Sequence, residues 1–388
     1  MNDRQSIYLD HAASTPVDPQ VVEAMLPYFS NIYGNASGLH KQARASARAI
    51  DESRQTIAGV LGCSPKEVVF TACGTESDNI AIRGVAWAQQ LAGRGKHLIT
   101  TPIEHHAVSH TINQLCDKFG FEQTVVPVDG YGLVNPHDVA DVIRPDTVLI
   151  SVIYANNEVG TVQPLAEIGA IARERGITFH TDAVQAAGYE LLAVDALKVD
   201  LLAISGHKIY APKGVGMLYV RQNTPLLPSF TGGSHENNRR PGTENVPYIV
   251  GLAKAMELVQ AHRDTENRRL VTLRDKLIKG VLNTIDNSQL TGHPTQRLPN
   301  NASFAFTGCE ADAILMHLDM AGIQAASGSA CTTGMPEPSH VLTAMGISHH
   351  MALGALRLTL GKQTTPTDID TVLKKLPGII QTVRQLNA

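Results

Sequence analysis

Lys208 ends the run Ser205-Gly206-His207-Lys208, immediately beyond the apolar segment Leu201 to Ser205. An amine held at the end of a buried strand loses solvent, which favours its neutral form and with it Schiff-base chemistry. Asp182 stands at the end of a second, mostly apolar segment, in His180-Thr181-Asp182-Ala183-Val184-Gln185. A carboxylate there must face a cation, either a structural Arg or Lys or the protonated nitrogen of a bound ring. Gln185, one short turn on, would reach a phenolic oxygen on such a ring. His106 would stack on its face and move protons near neutral pH.

Gly74-Thr75 opens a helix after the segment Glu67 to Thr71, with Thr75 and Asp78 in capping-box spacing. A helix start built of small residues offers backbone N–H groups to an anion, and Ser205 and His207 would add donors to a single phosphate. Taken alone, the pattern is also that of an ordinary helix cap, and no G-x-x-x-x-G-K-[ST] loop occurs in the chain. His106 and His110 are four residues apart, a spacing compatible with a metal, but no third ligand of suitable local spacing accompanies them, so no metal is expected. Further along, Ala326-Ser327-Gly328-Ser329-Ala330-Cys331-Thr332-Thr333-Gly334 places one sulfur in a run of small residues with almost nothing to bury. It reads as a mobile loop of about 326–336 that carries a thiol into a site and out again, or as a plain connector with an incidental cysteine. Arg357 is a candidate fork for a carboxylate.

The elements that must position these groups follow from the pattern. Candidate strands are Glu67 to Thr71, His97 to Thr101, Glu122 to Val128, Val148 to Ile153, Ile177 to Thr181, Leu201 to Ser205 and Gly216 to Val220. Amphipathic stretches alternate with them, the signature of a parallel sheet covered by helices. Val108, Ile112, Leu115, Cys116 and Phe119 recur at helical spacing before Gly120, and Leu165, Ile168, Ile171 and Ala172 do so between Pro164 and Gly176. Ligands in such sheets bind beyond the carboxyl ends of the strands, where the polar runs above fall. A helix from about Asp264, carrying Leu270, Leu273, Leu277, Val281 and Leu282, leads into a different rhythm: extended Ala302 to Phe306, a helix near Ala311 to Met320, extended Ala355 to Leu360, and a last helix capped near Thr367.

With 388 residues and 43% apolar content, the chain exceeds what one core usually supports, so two domains are expected. Net charge is -4 with both signs interspersed, which argues against nucleic acid as a partner. The polar start and the lack of a long apolar run argue against a signal peptide or membrane span, and a cytoplasmic protein is expected. Five cysteines without a Cys-x-x-Cys pair fit neither a disulfide framework nor a zinc knuckle.

Ser205-Gly206-His207-Lys208, His180 to Gln185, Cys73-Gly74-Thr75-Glu76-Ser77-Asp78-Asn79, Arg240-Pro241-Gly242-Thr243-Glu244-Asn245 and Ser327-Gly328-Ser329-Ala330-Cys331 together resemble the cysteine desulfurases, in order and spacing over nearly the whole chain. Within that group the sequence is most similar to the NifS/IscS branch of class V aminotransferases. The resemblance implies the pyridoxal-5′-phosphate-dependent transferase fold of type I, an α/β protein with a mostly parallel seven-stranded sheet in a large domain (16–262) and a smaller α+β domain (1–15 and 263–388). It implies a homodimer in which Lys208 holds the cofactor, His106 stacks on it, Asp182 meets the pyridine nitrogen and Gln185 the phenolic oxygen. Phosphate contacts would come from Gly74, Thr75, Ser205 and His207, and from Thr243 in the other subunit's site. Asn157 would touch cofactor and substrate, and Arg357 the carboxylate of L-cysteine. Cys331 would take the sulfur as a persulfide, for delivery to an iron-sulfur scaffold protein or another acceptor. Ala326, Ala36 and His235 depart from residues common in the family, and none carries a proposed chemical role. A selenocysteine lyase, another class V enzyme and a catalytically silent sulfur-transfer scaffold are the competing readings.

Overall fold

The computed structural model describes residues 6–327 and 338–387. Seven strands form the main sheet: β1 (Val68–Thr71), β2 (His97–Thr100), β3 (Glu122–Val125), β4 (Thr147–Ser151), β5 (Thr178–Asp182), β6 (Leu201–Ser205) and β7 (Gly216–Val220), in the spatial order β1-β7-β6-β5-β4-β2-β3. All except β3 are buried along their whole length, as apolar runs covered on both faces must be. β3 is the exposed edge, and it ends at Val125 rather than reaching Val128.

The sheet is mixed, with β7 antiparallel to both β1 and β6. A parallel return needs a crossover of a dozen or more residues, and the link from Ser205 to Gly216 is too short to supply one, so the chain must turn back on itself. That tight return contains Lys208.

Crossover helices fall where the apolar spacing puts them. The helices needed here are α1 (Pro19–Met25), α2 (Lys41–Leu61), α3 (Gly74–Leu91), α4 (His106–Phe119) and α5 (Leu165–Glu174). Gly120 ends α4 in the left-handed conformation at φ 68°, as an αL stop requires. In α4, Val108, Ile112 and Leu115 are fully buried, while Phe119 at the end is 44% exposed.

The helix expected from Asp264 begins much earlier. α6 (Val246–Thr284) runs for 39 residues, its first half against α1 and α2 and its second half against the smaller sheet and the C-terminal helix. Leu270, Leu273, Leu277 and Val281 are buried as the spacing predicts, but Leu282 is 40% exposed. The smaller sheet is antiparallel, with β9 (Asn301–Phe306) between β8 (Ser288–Leu290) and β10 (Ala355–Thr359). It packs with α7 (Ala311–Met320) and α8 (Pro366–Leu386). The cap of α8, expected near Thr367, is Thr365: Thr365 and Asp368 close a reciprocal capping box around Pro366.

The N-terminal segment joins the two sheets. Ile7–Tyr8 pairs in parallel with Ile323–Gln324, Asp10 bridges to Thr359, and the Thr15 N–H donates to the His207 carbonyl at 2.9 Å. Among the described residues, no helix is long and apolar enough to cross a membrane.

Candidate active site

The carboxyl ends of β1, β4, β5 and β6 open into one cavity of about 290 Å³, closed on its other side by Ala12, Ala13 and Arg357. Of the residues expected in a site, Gly74, Thr75, Asn157, Asp182, Gln185, Ser205, His207, Lys208 and Arg357 all line it. Lys208 follows β6 in a 3₁₀ turn, and its Nζ donates to the carbonyl of Ala12 at 2.6 Å and of Ala13 at 2.8 Å. Burial, and then the charge of Arg357, push its amine down to about 8 from 10.5, with Asp10 and Asp182 opposing. The Gln185 amide also donates to Ala12, at 2.9 Å. His207 is pushed down to about 4, by burial and then by Lys208 and Lys213, and is neutral at physiological pH.

Asp182 is the last residue of β5 and 4% exposed, with Oδ1 accepting from the Val184 N–H at 2.8 Å. Burial raises its pKa, against the pull of His105, that N–H and Lys208. A carboxylate held this way is short of positive charge and will favour a cation placed above it.

At the head of α3, Gly74 packs against Val184 and Ser205: a Cβ on Gly74 would meet Val184 Cγ2 at 2.7 Å and Ser205 Cβ at 3.2 Å. Only glycine lets the helix N-terminus come this close to the ends of β5 and β6. The expected Thr75–Asp78 capping box is not what starts the helix. Cys73 is the N-cap, its Sγ accepting from the Glu76 N–H at 3.4 Å, and Glu76 is held by Arg240. Asp78 instead turns inward, 1% exposed.

The histidines that line the cavity are His105 and His207, and His106 is not among them. This corrects the expectation for His106. His105 is the extended N-cap of α4, its Nδ1 accepting from the Ala107 N–H, so its ring is free to project into the crevice. His106 is the first residue inside the helix and follows the helix face, stacking on His110 at 4.5 Å and lying 4.9 Å from His340. The i, i+4 pairing of His106 with His110 was itself the signal that His106 belongs to the helix face. No group of three or more His, Cys, Asp or Glu side chains that could hold a metal occurs among the described residues.

Arg357 lies on β10 and is 6% exposed, donating to the Asn157 carbonyl and to Asp10 Oδ1, each at 2.9 Å, while its Nε has no hydrogen-bond partner among the described residues. Sequence reasoning missed Asp10, Ala12 and Ala13, which reach the site only through long-range pairing. Thr243 is exposed and lines a separate recess with Arg240 and Glu244. Cys331, and all but the first two residues of the loop expected at 326–336, lie outside the described residues.

A buried lysine, a buried aspartate and the N-terminus of α3 thus converge on one cavity at the carboxyl ends of an α/β sheet. The aminotransferase class-V family model matches residues 7–372. A cysteine desulfurase IscS of Methanosarcina thermophila is 49% identical over 385 residues, covering 99% of this chain and 94% of the relative. Among solved structures, a NifS-like protein superposes with a TM-score of 0.91 at 35% identity, covering 97% of this chain and all of that one. A structure of SspA in complex with cysteine gives 0.79 at 36% identity, covering 92% and 99%. The chain belongs to the class-V aminotransferase family, among its cysteine desulfurases of the NifS/IscS kind.

Proposed function

We propose that this protein converts L-cysteine to L-alanine and takes the sulfur onto Cys331 as a persulfide, with pyridoxal 5′-phosphate bound in the cavity. The reaction balances without an outside oxidant: the cysteine C–S bond breaks, an S–S bond forms at Cys331, and the thiol proton ends on alanine. The observation that carries this reading is Lys208, an amine pushed down to about 8 beside a buried, cation-seeking Asp182 in one crevice.

The residues fit that cofactor. Gly74, Thr75, Ser205 and His207 would hold the phosphate, Asp182 the ring nitrogen, Gln185 the phenolic oxygen, and Asn157 the edge shared with substrate. When bound, the cofactor supplies an electron sink. Lys208 would hold it and would move the α-proton of the substrate. His105, which lines the cavity, would cover the ring, the part first expected of His106. Arg357 gives up its hold on Asp10 to fork the substrate carboxylate. The likeness to a structure that contains cysteine supports the choice of substrate.

The protein works as a homodimer in this reading. Thr243, exposed and away from its own cavity, would reach the phosphate in a second copy, and Leu26, Phe29, Tyr33 and Leu39 leave apolar surface between 54% and 90% exposed for that copy to cover. Residues 16–262 form the cofactor-binding unit, and 1–15 with 263–388 the unit that carries Cys331. The persulfide passes to an acceptor protein, an iron-sulfur scaffold being the preferred one. The test is release of alanine and sulfide from L-cysteine by the purified protein, with its visible spectrum recorded before and after substrate. Equal yields from a yellow protein support the reading. A yellow protein that binds cysteine but releases no sulfur overturns it in favour of an aminotransferase, and a colourless, inactive one in favour of a silent scaffold.

A further inference from the structure

At the wall of the cavity, two buried polar atoms without a hydrogen bond among the described residues face each other. Asp78 Oδ1, on α3, lies 3.4 Å from Nε2 of His180, on β5, and both side chains are almost fully buried. The other nitrogen of His180, Nδ1, is 2.8 Å from Ser151 Oγ on β4. Neither a carboxylate oxygen nor a bare ring nitrogen can donate, so one proton between them satisfies both. Where that proton sits is decided by the surroundings. Asp78 and Asp182 line the same cavity, and Glu104 and Cys73 are the other acidic groups that act on Asp78. Burial alone pushes His180 down to about 3, so its ring is neutral. Two carboxylates in one dry crevice do not both ionise. Asp182 has the Val184 N–H, His105 and Lys208 to favour its charge, whereas Asp78 has a neutral imidazole.

We propose that Asp78 is held as a neutral carboxylic acid donating to Nε2 of His180, so that Asp182 is the single anion on the floor of the cavity. Asp78 is then a positioning residue. It gives the floor one negative charge, the number that one ring cation neutralises, and this last step rests on the cofactor reading above.

The test is infrared difference spectroscopy of the unligated protein. A protonated-acid carbonyl band should disappear in D78N, and ¹⁵N NMR should show His180 protonated at Nδ1 and bare at Nε2. A spectrum unchanged by D78N, or a proton on Nε2, overturns the proposal. Should D78N fail to fold, D182N decides: removing the neighbouring charge should lower the pH at which the Asp78 band titrates away by about one unit or more, and an unmoved midpoint refutes the shared-charge argument. Bound pyridoxal phosphate should move the midpoint the same way, and a bound cofactor that leaves it in place also overturns the proposal. If the cofactor does not bind at all, the reading under Proposed function fails, and the unligated spectra still decide this one.

Discussion

Replacing Lys208 with Met tests how much the site costs the fold. Met keeps the length of the side chain and removes the charge. In the folded protein the amine titrates at about 8, against 10.5 in an unperturbed lysine. At ~1.4 kcal/mol per pH unit, that gap is about 3 kcal/mol of folding stability given up while the amine is charged in both states. The sign follows from proton counting. Between about pH 8 and 10.5 the unfolded chain binds the proton that the folded chain has lost, so wild-type stability rises with pH across that window and is lowest below it. Met also forfeits the hydrogen bonds to Ala12 and Ala13, worth about 1 kcal/mol each. The unligated variant should therefore be about 1 kcal/mol more stable than wild type at pH 7 and about 2 kcal/mol less stable above pH 10. Urea unfolding of both cofactor-free proteins at a series of pH values measures the difference directly, and the other titrating groups cancel. A difference that stays flat with pH would refute the claim that Lys208 is desolvated.

Cys331→Ala should keep the yellow colour and bind cysteine yet release no sulfide, and a colourless variant would contradict the role given to Cys331. Arg357→Lys removes the planar fork, so KM for L-cysteine should rise by about 10- to 100-fold with the cofactor spectrum retained, and steady-state kinetics at fixed pH will show it. Glu236→Ala strands two bonds from Arg54, at 2.8 and 2.7 Å, and one from the Phe70 N–H at 2.8 Å, so the urea midpoint should fall by the equivalent of about 3 kcal/mol.

The chain shows its large sheet in one dimension because each strand is a short apolar run bounded by turn residues, a local property. Gly120 and Gly176 stop helices for a reason equally local, a left-handed residue, at φ 68° and 66°. The chemical runs were legible in the same way, since residues just past a strand must sit at its carboxyl end. His106 was misread because the helix boundary falls between two adjacent histidines, His105 being the extended N-cap and His106 the first helical residue, and sequence places such boundaries only to within a residue or two. The start of α6 was misread because from Val246 to Val259 buried residues such as Gly251, Leu252 and Ala253 follow one another, so no clean amphipathic edge marks where the helix begins.

What the sequence by itself determined was the inventory: Lys208, Asp182, Gly74 and Arg357, each with a chemistry that follows from residue type and place along a strand or helix. Tertiary structure decided the partners. The carbonyls of Ala12 and Ala13 meet Lys208 across nearly two hundred residues of chain, and Asp10 meets Arg357 across more than three hundred. Asp78 meets His180 because α3 packs on β5. Such contacts depend on which elements lie side by side, and the desolvation that sets every proton in the site exists only once they do.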